Sequence, residues 1–322
     1  MSEQISSVSS RPPVVFILGP TASGKTAVAT ELLRLCACKL VSVDSTQVYR
    51  GMDIGSAKPD AAELLAAPHD LIDIREPWET YSAADFCSDA SSLIAQARSE
   101  SKVPVLVGGT MMYYRALEEG LADMPAASAQ VRERITSDAL VHGWAYVHEQ
   151  LAGVDPEAAA RIHPNDPQRL QRALEVYLLT GEPISQRQRR AAVGHISGKL
   201  LKFGLYPEDR ADLHQSIGSR FDGMIEGGLI EEVESLASSE KITQSLPSQR
   251  AVGYRQVWEM LSGQIRPDEL ADKGKAATRQ LAKRQLTWMR GMDNLVLLDS
   301  QKVNAETMAQ QIAKHIIEAL DA

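Results

Sequence analysis

Short apolar runs alternate with amphipathic stretches through the first 120 or so residues. Three runs are almost wholly apolar, as in parallel strands buried on both faces: Val14–Leu18, Leu40–Val43 and Val103–Val107. Apolar residues recur at helical spacing in three further stretches: Thr26–Ala37, Ser82–Arg98 and Met111–Glu119. Strands that alternate with helices predict βαβ units around a parallel sheet, so the predicted fold class is α/β.

The pattern changes after about Asp123. From Ser128 to Gln188 it is helical, with no clear strand. Leu201–Tyr206 and Leu295–Leu298 are again strand-like and could extend the sheet. We therefore predict a discontinuous core, residues 13–123 and 206–322, interrupted by a mostly helical insertion, residues 124–205.

Composition narrows the class of protein. Of the 322 residues, 44% are hydrophobic and 24% are charged, which excludes a disordered chain. The formal net charge of -8 argues weakly against a nucleic-acid partner, but such binding needs only a local basic surface. Three cysteines, a polar N-terminus and apolar runs too short to span a bilayer predict a cytoplasmic protein with no disulfide framework and no membrane contact.

A glycine-rich motif joins the first predicted strand to the first helix. Residues 19–26 match the phosphate-loop (P-loop) pattern G-x-x-x-x-G-K-[ST] in its required context. The glycines let successive N–H groups wrap an anion at a helix N-terminus, so the motif indicates a polyphosphate, though not ATP in particular. Lys25 suits the outer phosphate, and the Thr26 hydroxyl suits Mg²⁺. We assign phosphate binding to the whole loop: Gly19, Pro20, Thr21, Ala22, Ser23, Gly24, Lys25 and Thr26.

The position of the nearest acid favours group transfer over hydrolysis. Nucleotide hydrolases usually hold Mg²⁺ with an Asp after a later strand, but the third strand here ends in Gly108-Gly109-Thr110. Asp44 follows the second strand instead, where it could serve as general base for an acceptor. A turn cap for Asp44 and a helix N-cap for Thr110 are the alternatives. Gln47 offers the donor and acceptor that reading a base edge requires.

Several motifs occur in a fixed order along the chain. They are the P-loop, Asp44–Gly55, Ala57-Lys58-Pro59, Gly108-Gly109-Thr110, His163–Arg169, Gly253-Tyr254-Arg255 and Lys283–Trp288. Together they resemble the tRNA dimethylallyltransferases, also called tRNA isopentenyltransferases. The resemblance implies transfer of a dimethylallyl group from dimethylallyl diphosphate to N6 of adenosine 37 in tRNA, giving N6-isopentenyladenosine and diphosphate. No C-terminal Cys/His zinc-finger pattern is present in this sequence, which favours the bacterial type.

The resemblance also implies roles that spacing alone leaves open. Asp44 matches the family's proposed general base, Thr110 a threonine beside the acceptor base, and Arg220 an arginine linked to the diphosphate. Without the resemblance, Arg220 would be interpreted as a solvated helix residue. Mg²⁺ is the implied cofactor, and the adenosine must be flipped out of its loop to reach the site.

Basic segments provide candidate tRNA contacts despite the negative net charge. Arg279–Arg290 holds four cations and no acid, although such a patch alone also fits a solvated helix, and Trp288 fits a core position equally well. The resemblance assigns tRNA contacts to Asp44, Ser45, Thr46 and Gln47, to Arg132, to Gln168, Arg169, Leu170, Gln171 and Arg172, to Arg250, Gly253, Tyr254 and Arg255, and to Lys283, Arg284, Gln285 and Arg290.

Three other functions stay open at this point. An adenylate isopentenyltransferase would use the same chemistry on a free nucleotide, and a P-loop ATPase or small-molecule kinase would bind ATP. A pure RNA-binding module would leave Lys25 and Asp44 without roles. The helical insertion and the basic C-terminal stretch favour tRNA. We therefore expect a cytoplasmic monomer whose partners are dimethylallyl diphosphate and the anticodon stem-loop of tRNA.

Overall fold

One parallel sheet organises the larger part of the chain. The computed structural model describes residues 11–190 and 196–321. The strands are β1 (Val14–Leu18), β2 (Cys38–Val43), β3 (His69–Asp70), β4 (Val103–Gly108), β5 (Leu200–Tyr206) and β6 (Leu295–Asp299). They lie in the order β3-β2-β4-β1-β5-β6, and every neighbouring pair is parallel. The predicted α/β class is confirmed, and the two-residue β3 is the strand that the sequence pattern does not indicate.

Helices connect the strands and form the long segment between β4 and β5. They are α1 (Lys25–Leu35), α2 (Ala61–Ala66), α3 (Ala83–Ser99), α4 (Met111–Glu119), α5 (Ala129–His142), α6 (Trp144–Val154), α7 (Pro156–Arg161), α8 (Pro167–Thr180), α9 (Ile184–Arg189), α10 (Arg210–Glu226), α11 (Leu229–Ala237), α12 (Tyr254–Leu261), α13 (Leu270–Arg290) and α14 (Ala305–Leu320). Local sequence sets some of the boundaries. Ser82, for example, forms a capping box with Asp85 at the start of α3.

Alternating residues of each strand reach opposite faces of the sheet, which gives the core two layers. On one face, Val14, Phe16 and Leu18 of β1 pack with residues of α3, α4 and α10–α13. On the other face, Val15 and Ile17 pack with α1 and α14. All five side chains are fully buried, and each contributes about 1.5–3 kcal/mol to folding. The helices therefore hold the strand ends in a fixed frame.

The chain divides into two compact units. One comprises the residues up to Glu118 and those from Ile196 onward, and the other is the segment between them. The second unit is helical, and its core includes Ile135, Val147, Leu151 and Leu170. The structure ends this unit before residue 200 rather than at the predicted 205, because residues 200–206 pair with β1 as strand β5.

The described residues also bear on the predicted cellular setting. None of their helices is both long and apolar enough to cross a membrane. Cys36, Cys38 and Cys87 are free thiols. The first ten residues, which carry the expectation about a secretory signal, lie outside the described ranges.

Candidate active site

One cavity opens at the carboxyl ends of β1, β2 and β4. Its volume of about 410 Å³ is within the usual range for small-molecule sites. Its walls come from the P-loop, the segment after β2, residues 55–59, α10 and α13, all within the sheet-containing unit. Open α/β sheets place their ligands at this edge. The structure thus brings Lys25, Thr26, Asp44, Gln47 and Arg220 to the same cavity.

The P-loop adopts a conformation suited to an anion. Ala22 and Gly24 have φ angles of 62° and 80°, in the left-handed region, which turns the loop around its own N–H groups. Helix α1 begins at Lys25 with no side-chain cap. Its first N–H groups and the positive end of its dipole are therefore available to a ligand. Lys25 Nζ donates to the Pro20 carbonyl at 2.7 Å, which keeps the ammonium group beside the loop.

The Ser23 hydroxyl indicates that the loop is built around a ligand. The residue is 6% exposed, and its Oγ has no hydrogen-bond partner among the described residues. A buried hydroxyl left without a partner costs free energy, so such groups are rare in folded proteins. Because Ser23 lines the cavity, a phosphate oxygen bound there would satisfy it.

Two cations of the cavity, Lys25 and Arg220, have lowered pKa values. Burial and the nearby Arg220 guanidinium lower the pKa of Lys25 to about 7, and Asp44 partly opposes that shift. Burial also lowers the pKa of Arg220, again against the influence of Asp44. Because the two positive charges repel each other in a poorly solvated site, binding of an anion beside both is electrostatically favourable.

Asp44 has one carboxylate oxygen engaged in structure and one available. Oδ1 accepts hydrogen bonds from Thr46 N–H at 2.8 Å, the Thr46 hydroxyl at 2.5 Å and Gln47 N–H at 3.3 Å. The alternative of a turn cap is therefore correct for this oxygen. Oδ2 accepts no hydrogen bond from the described residues, so it is free to take a proton from a substrate.

Thr110 and Gln47 stabilise the segment that follows β2. Thr110 Oγ1 accepts the Ser45 N–H at 3.1 Å, so the hydroxyl orders this segment. Gln47 Oε1 accepts the Ser42 hydroxyl at 3.0 Å, and its Nε2 donates to the Ala57 carbonyl at 3.3 Å. The Gln47 amide is thus largely engaged within the protein, and one Nε2 hydrogen is left for a base edge.

An apolar wall adjoins the anion-binding end of the cavity. Four residues of α10 follow the i, i+3, i+4, i+7 spacing of one helix face and line the cavity: Ile217, Arg220, Phe221 and Met224. Leu281 of α13 joins them. Sequence reasoning overlooks this wall, although the apolar spacing around Arg220 is a signal for it. The cavity therefore suits a ligand with a charged end and a short apolar group.

Glu232, an acid outside all of the sequence motifs, holds part of the cavity wall. Its Oε2 accepts the Asp53 and Ile54 N–H groups at 2.9 and 2.8 Å. Its Oε1 accepts the Gly55 N–H at 3.2 Å and the Tyr254 hydroxyl at 2.6 Å. One carboxylate thus fixes the segment that leads into residues 55–59 of the wall. No local sequence pattern marks Glu232, because its backbone partners lie about 180 residues earlier in the chain.

Helix α13 presents most of its predicted tRNA-binding residues to solvent. The exposed cations are Lys283, Arg284 and Arg290. Trp288 is 39% exposed, and the Arg115 guanidinium lies 5.7 Å from the centre of its ring. Gln285 is the exception, since it is buried and hydrogen-bonded to the P-loop. Its side chain therefore lies inside the protein at the cavity, apart from the exposed cations of this helix, and its predicted contact with tRNA stays a prediction.

Residues 250–255 also include both exposed and buried positions. Arg250 and Arg255 are exposed. Tyr254 is fully buried, and its ring lies so close to Gly55 that a Cβ there would be 2.5 Å from a ring carbon. Gly253 is also buried and has a φ of 95°, which lets the chain turn into α12. The predicted tRNA contacts of Gly253 and Tyr254 are thus corrected to structural roles.

In the helical unit, two of the predicted arginines neutralise a buried acid. Glu175 is fully buried and accepts Arg132 Nε–H at 2.9 Å and Arg172 Nη1–H at 2.7 Å. The Ser128 N–H donates to it at 2.8 Å. Burial alone would raise the pKa of Glu175, but these hydrogen bonds lower it overall. Arg132 and Arg172 are therefore committed first to the stability of this unit.

The other residues of the helical unit that are predicted to bind tRNA lie on different faces of α8, and their exposure to solvent differs. Leu170 is fully buried in the unit's core, so its predicted contact with tRNA is corrected. Gln171 Nε2 donates to the Arg132 carbonyl and the Thr136 hydroxyl at 3.1 and 2.9 Å. Gln168 and Arg169 are exposed.

The donor set of the cavity limits the kind of metal it could hold. No group of three or more His, Cys, Asp or Glu side chains in residues 11–190 and 196–321 could hold a metal ion. Thr26 places one hydroxyl-bearing side chain in the cavity wall. Mg²⁺ often takes few protein ligands and binds largely through substrate phosphates and water. The residues present therefore fit a Mg²⁺ ion that binds together with a diphosphate.

Comparison with known proteins agrees with this chemistry. The IPP transferase family model matches residues 47–292. The tRNA dimethylallyltransferases of Thioalkalivibrio sulfidiphilus and Thiobacillus denitrificans are 50% and 51% identical to this chain, over 95% of its length and 95% and 97% of theirs. The crystal structure of the full-length tRNA isopentenylpyrophosphate transferase from Bacillus halodurans is 36% identical, with a TM-score of 0.70 over 96% of this chain and 97% of that one. A eukaryotic dimethylallyltransferase acting on tRNA is 25% identical, with a TM-score of 0.78 over 95% of this chain and 80% of that one.

Proposed function

The chain belongs to the IPP transferase family, and on that premise we propose that it is a tRNA dimethylallyltransferase. It transfers the dimethylallyl group of dimethylallyl diphosphate to N6 of adenosine 37 in tRNA. The products are N6-isopentenyladenosine and diphosphate. One observation carries the proposal: a single cavity joins an anion-binding P-loop, a carboxylate with a free oxygen and an apolar wall.

The donor binds with its diphosphate in the P-loop. The N–H groups at the start of α1, the Ser23 hydroxyl and Lys25 contact its oxygens, and Arg220 contributes a second positive charge. The five-carbon group packs on the apolar wall formed by α10 and Leu281. This arrangement stabilises the negative charge that accumulates on the diphosphate as it leaves.

The acceptor nitrogen reacts on the Asp44 side of the cavity. N6 of the adenosine forms a bond to the allylic carbon of the donor while the bond from that carbon to the diphosphate oxygen breaks. Asp44 Oδ2 takes the proton that N6 loses, so charge and atoms balance. Thr110 acts through Ser45, whose N–H it binds, and so orders the segment that carries Asp44.

The Thr26 hydroxyl would help to hold a Mg²⁺ ion that binds with the diphosphate, and such an ion would neutralise charge on the leaving group. Binding and proton transfer remain the work of the side chains named above.

The tRNA binds through exposed cations outside the cavity. In the sheet-containing unit these are Arg250, Arg255, Lys283, Arg284 and Arg290, and in the helical unit Arg169. Phosphate contacts of this kind give salt-dependent affinity even when the whole protein is acidic. Adenosine 37 is unstacked and flipped out to reach the cavity, because its N6 is not accessible to Asp44 within the stacked loop.

A direct assay tests the proposal. Unmodified tRNA is incubated with dimethylallyl diphosphate, Mg²⁺ and the protein, and its nucleosides are then analysed by mass spectrometry. We expect N6-isopentenyladenosine at position 37 only when both substrates are present. Parallel reactions replace tRNA with adenosine monophosphate, or the prenyl donor with ATP. Modification of the free nucleotide alone, or ATP cleavage with no use of the prenyl donor, would contradict the proposal.

A further inference from the structure

Gln285 connects two loops of the cavity, although the two residues that precede it on α13 face solvent. Its Oε1 accepts the Thr21 N–H at 3.0 Å, and its Nε2 donates to the Gly109 carbonyl at 2.9 Å. The residue is 7% exposed, whereas Lys283 and Arg284 beside it are exposed. Successive residues of a helix point about 100° apart, so one helix can present cations outward and this amide inward.

Gly109 has no side chain, and the Gln285 amide occupies the space that a Cβ would fill. A Cβ at Gly109 would lie 2.5 Å from Gln285 Nε2, which is closer than real contacts allow. A side chain at residue 109 would therefore force the Gln285 amide to move away from its two hydrogen-bond partners. Its lack of a side chain and the Gln285 amide fit each other, although 176 residues separate them in the chain.

The two bonds join the donor and acceptor sides of the site. Thr21 belongs to the P-loop, and Gly109 directly precedes Thr110. The Thr110 hydroxyl binds the Ser45 N–H, next to Asp44. A continuous hydrogen-bonded path thus runs from the P-loop through Gln285 and residues 109–110 to the segment of the proposed base.

We propose that Gln285 is a positioning residue that fixes the P-loop relative to the Asp44 segment, and that it is not part of the exposed surface that binds the tRNA. This inference rests on the proposed function for its kinetic consequences. An amide suits the task because it accepts from one backbone group and donates to the other, whereas a carboxylate would face the Gly109 carbonyl without a proton to donate.

Substitution at Gln285 and at a matched position on the same helix tests the inference. Gln285→Met keeps the length and removes both hydrogen bonds, and Gln285→Glu keeps only the bond from Thr21 N–H. Gln280→Met, at an exposed position of α13, controls for the effect of the substitution on the helix. Thermal melts show that each variant is folded. The assays measure kcat, KM for dimethylallyl diphosphate, Kd for tRNA, and Kd for inorganic diphosphate by calorimetry at one pH.

We expect Gln285→Met to lower kcat at least tenfold and to weaken diphosphate binding severalfold, while Kd for tRNA changes less than twofold. Gln280→Met should match the wild-type protein in kcat, in KM for dimethylallyl diphosphate and in Kd for inorganic diphosphate. Gln285→Glu should also weaken diphosphate binding, because it loses the bond to the Gly109 carbonyl and adds a negative charge beside the P-loop. A weakened tRNA affinity with normal kcat and diphosphate binding in Gln285→Met would overturn the inference.

A double-variant comparison separates positioning from general packing. Gly109→Ala alone should impair turnover because its Cβ collides with the amide. In a Gln285→Ala background the same change should cost little more, since the colliding group is gone. Fully additive effects would contradict the proposed contact. If diphosphate binding follows this pattern while no variant or wild-type protein alkylates tRNA, the proposed function fails and the positioning role stands.

Discussion

Binding of dimethylallyl diphosphate should weaken as the pH rises from 7 to 9, because Lys25 loses its proton in that range. Burial and Arg220 lower the pKa of Lys25 to about 7 in the ligand-free protein. A diphosphate beside the ammonium group favours the charged form and raises that pKa again. Binding above pH 7 therefore requires uptake of a proton, and its free energy becomes less favourable with increasing pH.

The size of the effect follows from the two protonation states. With a pKa of about 7, Lys25 is half protonated at pH 7 and about one hundredth protonated at pH 9. If the bound state stays protonated throughout, Kd rises about 50-fold over this interval. The second ionisation of a phosphate group occurs near pH 6, so the charge of the ligand changes little above pH 7.

The lowered pKa of Lys25 also makes the stability of the ligand-free protein depend on pH. The folded-state pKa of Lys25 lies below its ordinary value of 10.5, so the unfolded chain binds more protons between these two values. The contribution of Lys25 to the free energy of unfolding therefore increases with pH from about 7 to about 10.5 in the absence of ligand.

Calorimetric titration of dimethylallyl diphosphate into the protein, without tRNA so that no turnover occurs, measures Kd at half-unit intervals from pH 7 to 9. Lys25→Arg is the control, because arginine stays charged throughout, and its Kd should vary by less than threefold. A wild-type Kd that is constant across the range would refute the reasoning. So would an equal rise in both proteins, because that would place the titrating group elsewhere.

Three further changes test other parts of the site. Asp44→Asn should lower kcat by a factor of about 10²–10⁴. Its diphosphate affinity, measured by calorimetry, should be kept or improve, because Asn still accepts the Thr46 N–H. A near-normal kcat would reject Asp44 as the base. The double variant Lys283→Ala, Arg284→Ala should raise Kd for tRNA and make that Kd less dependent on salt. The log–log slope should fall by about 0.7–0.9 for each phosphate that the variant no longer neutralises. An unchanged slope would place the RNA on another surface. Glu175→Ala should destabilise the helical unit by about 2–3 kcal/mol, because it leaves two arginines without their carboxylate and Arg132 only partly regains solvent. Hydrogen exchange of residues 128–176 measures this loss of stability, and unaltered protection would contradict the prediction.

The sheet and the P-loop were predictable because their signals are local. The aliphatic run of β1 must be buried on both faces, and Gly24 must reach a φ that other residues rarely adopt, so adjacent residues suffice to identify both. The position of Asp44 after β2 likewise follows from strand direction alone. Each of these inferences depends on a few consecutive residues and on no partner elsewhere in the chain.

The orientation of side chains within a motif was not predictable in the same way. The segments 168–172, 250–255 and 283–290 carry enough cations to indicate a basic surface, but a motif does not show which of its residues turn inward. Tyr254 and Gln285 are buried against Gly55 and Thr21, which lie far earlier in the chain. Leu170 is buried in the core of its own helical unit. Glu232 is the converse case, since its three backbone partners follow β2 and no pattern around residue 232 indicates them.

Not all of the cations predicted to bind tRNA are available to it, which matters because the protein has a negative net charge. Of the eight cations assigned to tRNA by resemblance, Arg132 and Arg172 neutralise Glu175. Arg169 and Arg255 lie 3.3 and 3.7 Å from Asp166 and Glu259, as exposed pairs that a phosphate could displace at little cost. Among the described residues, Arg250, Lys283, Arg284 and Arg290 form no salt bridge, and three of these belong to α13. Electrostatic attraction of tRNA therefore depends chiefly on the outward face of one helix, and the inward face of that helix carries Gln285 and Leu281 to the donor cavity.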